Sequence, residues 1–305
     1  MSPTVAICIT THNRREELAR TLRQLAALDP APDALVVVAD GCTDGTAALA
    51  RNAAPHARLI EHPTASGSIA SRNEAAATCG CDVFVSLDDD SYPLETDFIA
   101  RVGEFFARHP RLAVLSFFQR SDEFPESLTA SDFGPSEFTG SYANSAAAIR
   151  RSAFDELGGY PDFFFHAYEE PDFALRCVCA GWQVRHETSL TVRHHFTGVQ
   201  RNEVRNHHRH ARNEVWSALL RCPAPQVFGV VLFRAMRQSA YAWHRGFAWL
   251  VREPVWWAAC LGGLPECFRR RSPLPWPRYL AWMRLMRHPR RDEAEWRAAF
   301  GKDGA

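Results

Sequence analysis

One lysine occurs in the 305 residues, Lys302, and it stands in the terminal tail. A phosphate grip made of a Gly-rich loop and a lysine is therefore excluded from the body of the chain. Long apolar runs are missing too. No uncharged stretch reaches the roughly 18 residues of a membrane span, the longest in the last third being CPAPQVFGVVLF and PVWWAACLGGLP. Met1 to Thr11 has no basic n-region and passes straight into a strand pattern, so no signal peptide is expected and the compartment expected is the cytoplasm. The nine cysteines contain no C-x-x-C pair: Cys79/Cys81 and Cys177/Cys179 are spaced C-x-C, and the odd total suits buried thiols in a reducing compartment better than a disulfide framework. No repeat of fixed period and no low-complexity tract is found.

The formal charge of zero conceals a division. Residues 1–200 carry 16 Lys and Arg against 27 Asp and Glu, whereas residues 201–305 carry 19 against 8. Tryptophan divides in the same way, with Trp182 before residue 200 and eight after it. Two parts are expected, 1–200 and 201–305, with different tasks. A basic, Trp-rich part suits contact with anionic lipid, so a peripheral position on the cytoplasmic face of the inner membrane is expected; core aromatics are the plain alternative. No nucleic-acid partner is expected. The run RNHHRHARN does not space His207, His208 and His210 as zinc ligands on one helical face, and it reads as a basic helix near phosphate or membrane.

Along residues 1–120 short apolar runs alternate with helical periodicity: TVAICITTHN then RREELARTLRQLAAL, ALVVVADG then DGTAALARNAA, ARLIEHP then SIASRNEAAATCG, DVFVSLDDD then LETDFIARVGEFFARHP, and finally RLAVLSFF. Such alternation predicts an α/β fold, a Rossmann-like, mostly parallel sheet with helices on both faces. Residues 121–145 are Ser-, Pro- and Gly-rich and too long for an ordinary turn, which marks a substrate loop. A short helix, a Gly-Gly turn, an acidic loop with its helix, and the strand-like runs QVRHE and LTVRHHF complete residues 121–200. Beyond residue 200, helical periodicity broken by prolines predicts a helical extension.

Ligands of such sheets lie beyond the carboxyl ends of the strands. Thr10, Thr11 and Asn13 follow the first strand, Asp40 the second, and Asp88, Asp89 and Asp90 the fourth. Three adjacent carboxylates repel one another, and a cation nearby relieves that cost. Alone, a D-x-D triplet reads equally well as a solvated turn. Glu169, Glu170 and Asp172 cluster before a further helix, where acidic residues also suit the helix dipole.

Taken in order, these segments resemble family 2 glycosyltransferases of the GT-A fold. ICITTHNR resembles the first strand with its T-x-N-R turn, and VVVADGCTDGT resembles V-D-x-G-S-x-D-G-T with Cys42 in the serine place. ASRNEA precedes LDDDS, which resembles the D-x-D motif. YANSAAAIRRSAFDELGGY, EEPDFALR and TVRHH follow.

The resemblance implies an inverting enzyme that moves a sugar from a nucleoside diphosphate sugar to a hydroxyl of a glycan or lipid-linked acceptor, in cell-envelope or exported polysaccharide assembly. It implies a nucleotide-sugar-binding half in 1–120 and an acceptor-side half in 121–200. Thr10, Thr11, Asn13, Arg14, Asp40, Arg72, Asp88 and Asp89 would bind the donor. Asp90, with His194, would hold Mn2+ or Mg2+, and Asn144 and Glu169 would lie on the acceptor side. Glu170 stands where the family commonly has aspartate and would be the base, with Asp172 and Glu169 as substitutes. A catalytically silent nucleotide- or glycan-binding protein of the same fold is the alternative. A sugar nucleotidyltransferase lacks its lysine here.

Overall fold

A computed structural model describes residues 2–198 and 202–301; Lys302 and the boundary at 200 and 201 lie outside the described residues. Among the described residues nine strands form one sheet: β1 (Val5–Thr11), β2 (Ala34–Asp40), β3 (Arg58–His62), β4 (Val83–Asp88), β5 (Ser91–Pro93), β6 (Leu112–Ser121), β7 (Glu137–Phe138), β8 (Ala146–Arg150) and β9 (Gln183–His194). Their order is β3-β2-β1-β4-β8-β6-β9-β5, with β7 also on β9. β1 lies parallel to β2 and β4, β2 to β3, and β6 to β9; β8 runs antiparallel to both of its neighbours.

The period of two along a strand assigns its residues to two cores. Val5, Ile7 and Ile9 of β1 face α1 (Arg15–Leu25), α2 (Thr46–Ala53) and α4 (Phe98–Arg108), where they meet Leu18, Leu22, Ala50, Phe98 and Val102. Ala6 and Cys8 face the other way, toward α3 (Ser68–Cys79), α6 (Arg151–Glu156) and α7 (Glu169–Cys179). A short helix, α5 (Pro125–Thr129), lies between β6 and β7. Burial on both faces explains why VVV in β2 is unbroken by polar residues.

The helix expected in 94–110 is α4, preceded by the short strand β5 that the pattern does not show, and the two runs QVRHE and LTVRHHF form the single strand β9. β8 is hidden by its composition, since AAAIR alternates with nothing polar. The acidic cluster is the first turn of α7 rather than a loop before it.

Seven further helices follow: α8 (Glu203–Arg221), α9 (Gln226–Arg245), α10 (Phe247–Leu250), α11 (Glu253–Gly262), α12 (Leu264–Arg269), α13 (Trp276–Arg287) and α14 (Glu293–Phe300). All of them but α10 contribute to the second core, to which Trp216, Trp256, Trp282 and Trp296 belong beside Phe164 and Phe173. Half of the eight late tryptophans are thus core residues, as the plain alternative held. α8 is not a basic surface helix: His207 is buried with Nε2 2.9 Å from Glu253, and Ala211, Asn213 and Glu214 are buried with it. All nine cysteines are free, and only Cys42 is not fully buried.

Candidate active site

The carboxyl ends of β1, β2 and β4 reach one edge in register, with Thr10 opposite Asp88 and Asp40 opposite His62 on β3. β5 then pairs with the end of β9, Ser91 opposite His194, and the His195 N–H donates to the Asp90 carbonyl at 2.8 Å. This short pairing brings the acidic run to the late histidine. One ligand atom each from Asp88, Asp90 and His194 lies within 4.8 Å of the other two.

Asp89 points the other way. Its carboxylate accepts from Thr11 Oγ1 at 2.7 Å and pairs with Arg14 Nε at 2.8 Å, while Thr21 donates to its carbonyl. Burial pushes the Asp89 carboxyl up to about 7 against the pull of Arg14. The structure therefore turns Thr11 and Asp89 toward each other, not outward. Arg14 also pairs with Asp90, so the acidic run is flanked by one guanidinium on its inner side and by Arg72, paired with Asp88, on the other. Asn13, at φ 52°, accepts from the Thr43 N–H at 2.7 Å and ties the turns after β1 and β2 together.

Asp40 is held by the segment entering α3. Ser66 donates to it through N–H and Oγ at 2.8 and 2.9 Å, Gly67 N–H at 2.8 Å, and His62 Nδ1 lies 2.8 Å away. Burial raises its pKa, but these hydrogen bonds outweigh burial and keep the carboxyl below the usual range. Gly67 has φ 99°, and a Cβ there would stand 2.5 Å from the Phe165 carbonyl oxygen, so the close approach requires glycine.

Arg72 spans from Asp88 to Glu169, whose Oε1 is 3.5 Å from Nη1. Asn144 Nδ2 donates to Glu169 at 3.2 Å, its N–H to Glu170 at 3.4 Å, and the Tyr160 hydroxyl donates to Asn144 Oδ1 at 2.7 Å. Burial and the neighbouring Glu169 push the Glu170 carboxyl up to about 8, with Arg72 pulling it down. Asp172 is not brought to this group. It is wholly buried, taking up Ser217 Oγ at 3.0 Å, Arg176 Nε at 2.9 Å and Arg221 Nε at 3.1 Å; these arginines hold it below its usual range despite burial. Two positions apart in the first turn of α7, the two acids point to opposite sides of the helix.

The residues that support these acids have no role assigned by the sequence pattern. Phe165, Ala167 and Tyr168, just before Glu169, have φ of 68°, 72° and 70°, a backbone that costs about 1–3 kcal/mol per non-glycine residue. Asn213 on α8 holds them: Nδ2 donates to the carbonyls of Phe164, His166 and Ala167 at 3.1, 2.8 and 2.8 Å. His62, Ser66 and Gly67 carry no motif, and Tyr160 and Asn213 close the runs YANSAAAIRRSAFDELGGY and RNHHRHARN without a role of their own there; a glycine ahead of α3 and an asparagine inside an otherwise buried helical face were the available signals. From the loop 121–145, Ser141 and Tyr142 line a cavity of about 180 Å3 with Ser116 and His186.

A mixed, mostly parallel sheet with acids gathered beyond its carboxyl edge is the architecture of the GT-A glycosyltransferases. The mannosyltransferase PcManGT from Pyrobaculum calidifontis, solved with GDP-Man and Mn2+, superposes with a TM-score of 0.59 at 19% identity, covering 100% of this chain and 87% of that one. GalNAc-T7, solved with UDP, GalNAc and Mn2+, gives 0.58 at 12% identity over 73% of this chain and 48% of the other. Residues 6–165, just over half of the chain, match glycosyl transferase family 2, and the chain belongs to that family. Succinoglycan biosynthesis protein ExoA of Rhizobium meliloti (strain 1021) is 26% identical over 296 residues, 87% of this chain and 86% of the relative. O-antigen chain rhamnosyltransferase RfbN of Salmonella typhimurium (strain LT2) is 26% identical over 221 residues, 67% and 70% of the two chains. The protein is thus a glycosyltransferase.

Proposed function

We propose that the protein transfers a sugar, with inversion, from a nucleoside diphosphate sugar to a hydroxyl of a glycan or lipid-linked glycan in polysaccharide assembly. The observation that carries the reading is the meeting of Asp88, Asp90 and His194, joined through Arg72, Glu169 and Asn144 to Glu170. Two carboxylate oxygens and an imidazole nitrogen suit Mn2+ or Mg2+, so these three residues would hold the ion. When bound, the ion would supply positive charge to the diphosphate. The names of the ExoA and RfbN relatives support the polysaccharide context.

The chain's own groups divide the remaining work. Asp40, kept ionised and fixed by Ser66 and Gly67, is an acceptor for the donor's base or ribose, with Thr10 and Asn13 at the same edge. Arg14 and Arg72 stand beside the acids to meet the diphosphate. Glu170 takes the acceptor hydroxyl's proton as that oxygen attacks the anomeric carbon from the face opposite the diphosphate. Asn144, itself tied to Glu169 and Tyr160, holds it in place. Its raised pKa, near the working pH, suits a base.

Donor turnover tests this. With Mn2+ the protein should hydrolyse or transfer from its nucleotide sugar, EDTA should stop it, and Glu170→Gln should lower kcat by about 10^2–10^4 while retaining nucleotide binding. Turnover by Glu170→Gln equal to the parent's would remove Glu170 from the role. Nucleotide binding with no turnover of any donor by the parent would instead indicate a silent binding protein.

A further inference from the structure

The described residues expose fifteen large apolar side chains, and eleven of them lie between Phe228 and Leu261. The concentration has a simple geometry. On α9, Phe228, Leu232, Met236 and Trp243 recur at intervals of four, four and seven and share one side, while Val227, Arg234, Gln238 and Ala242 are buried on the other. α11 buries Glu253, Trp256 and Cys260 at intervals of three and four, and leaves Val255, Trp257 and Leu261 outside. Both helices pack on α8, so their outer sides are turned from the core. α10 joins them and carries Phe247, 79% exposed.

Charge identifies the occupant. From Gln226 to Gly262 the sole acid is Glu253, and it is buried against His207, Ser239 and Trp256. The exposed charges of this stretch are Arg237, Arg245 and Arg252, the first two of which reach Glu214 and Glu203 on α8. Aromatic and aliphatic side chains interleaved with arginine, with no exposed acid within the stretch itself and exposed Glu203 of α8 beside Arg245, fit the boundary between acyl chains and anionic headgroups. A second copy meeting this face about a twofold axis would set arginine against arginine. No helix among the described residues is long and apolar enough to cross a membrane, so the fit is to lying on the surface.

We propose that α9, α10 and α11 form a monotopic membrane face that seats the protein on a bilayer containing anionic lipid. The contact uses exposed residues that have no part in donor binding, and its test needs no turnover. The full chain is floated with vesicles of phosphatidylcholine containing phosphatidylglycerol, and with pure phosphatidylcholine. The parent should float with the anionic vesicles, less with the neutral ones, and less at high salt. Phe228→Ser/Phe247→Ser and, separately, Arg245→Glu/Arg252→Glu should each reduce the bound fraction about tenfold or more with unfolding temperature unchanged. Equal flotation of parent and variants would overturn the proposal. So would failure of the parent to float, or a dimer in light scattering that the Phe228→Ser/Phe247→Ser variant abolishes.

Discussion

At the scale of residues, the acidic run works because its members face different ways. Asp88 and Asp90 join His194, whereas Asp89 is spent on Thr11 and Arg14. The same alternation separates Glu170, beside Asn144 and Glu169, from Asp172, locked by two arginines. Their carboxyls also titrate apart. For Glu170, burial favours the protonated form, and only the ionised form can accept a proton. Activity should therefore rise with pH and level off above about 8, not above the ordinary carboxylate range. A pH profile of kcat/KM that is flat from pH 5 upward would assign the base elsewhere.

At the scale of elements, α8 braces the start of α7. Asn213 holds three carbonyls of the segment before Glu169, and Ser217 and Arg221 hold Asp172 four places beyond Tyr168. The backbone of Phe165, Ala167 and Tyr168 is unfavourable by itself, so the brace is what keeps Glu170 in position. Asn213→Ala leaves buried carbonyls unsatisfied and should destabilise the protein by about 1–3 kcal/mol. We expect kcat to fall, donor affinity to change little, and amide exchange to accelerate over residues 164–168. Unaltered exchange there would mean that the segment holds its shape without Asn213. The run RNHHRHARN, which reads as a basic helix near phosphate or membrane, is thus part of an internal strut.

For the whole molecule, the two expected parts, 1–200 and 201–305, share a core. The second core mixes Phe164 and Phe173 with Trp216, Trp256 and Trp282, and Trp282 Nε1 donates to the Gly140 carbonyl at 2.8 Å. A chain ending at residue 202 would expose that face, and burying each such aromatic is worth about 1.5–3 kcal/mol. Such a truncation should be insoluble or lack a cooperative thermal transition. Cooperative unfolding near the full chain's Tm would show residues 1–202 to be self-sufficient.

Much was determined by local order alone. Runs such as ALVVVADG and DVFVSLDDD can be buried only as central strands, and the strand-helix alternation that links them leaves few topologies, so the acids at their ends were bound to share one edge. Tertiary structure decided the rest, because it depends on partners distant in the chain. β8 is recognisable only between β4 and β6, and β5 exists only through β9, the pairing that delivers Asp90 to His194. Whether a late tryptophan is core or surface, and whether an acid near α7 meets Asn144 or Arg221, follows from which helix packs where. Composition along the chain is silent on that, since burial and ion pairing are properties of neighbours in space.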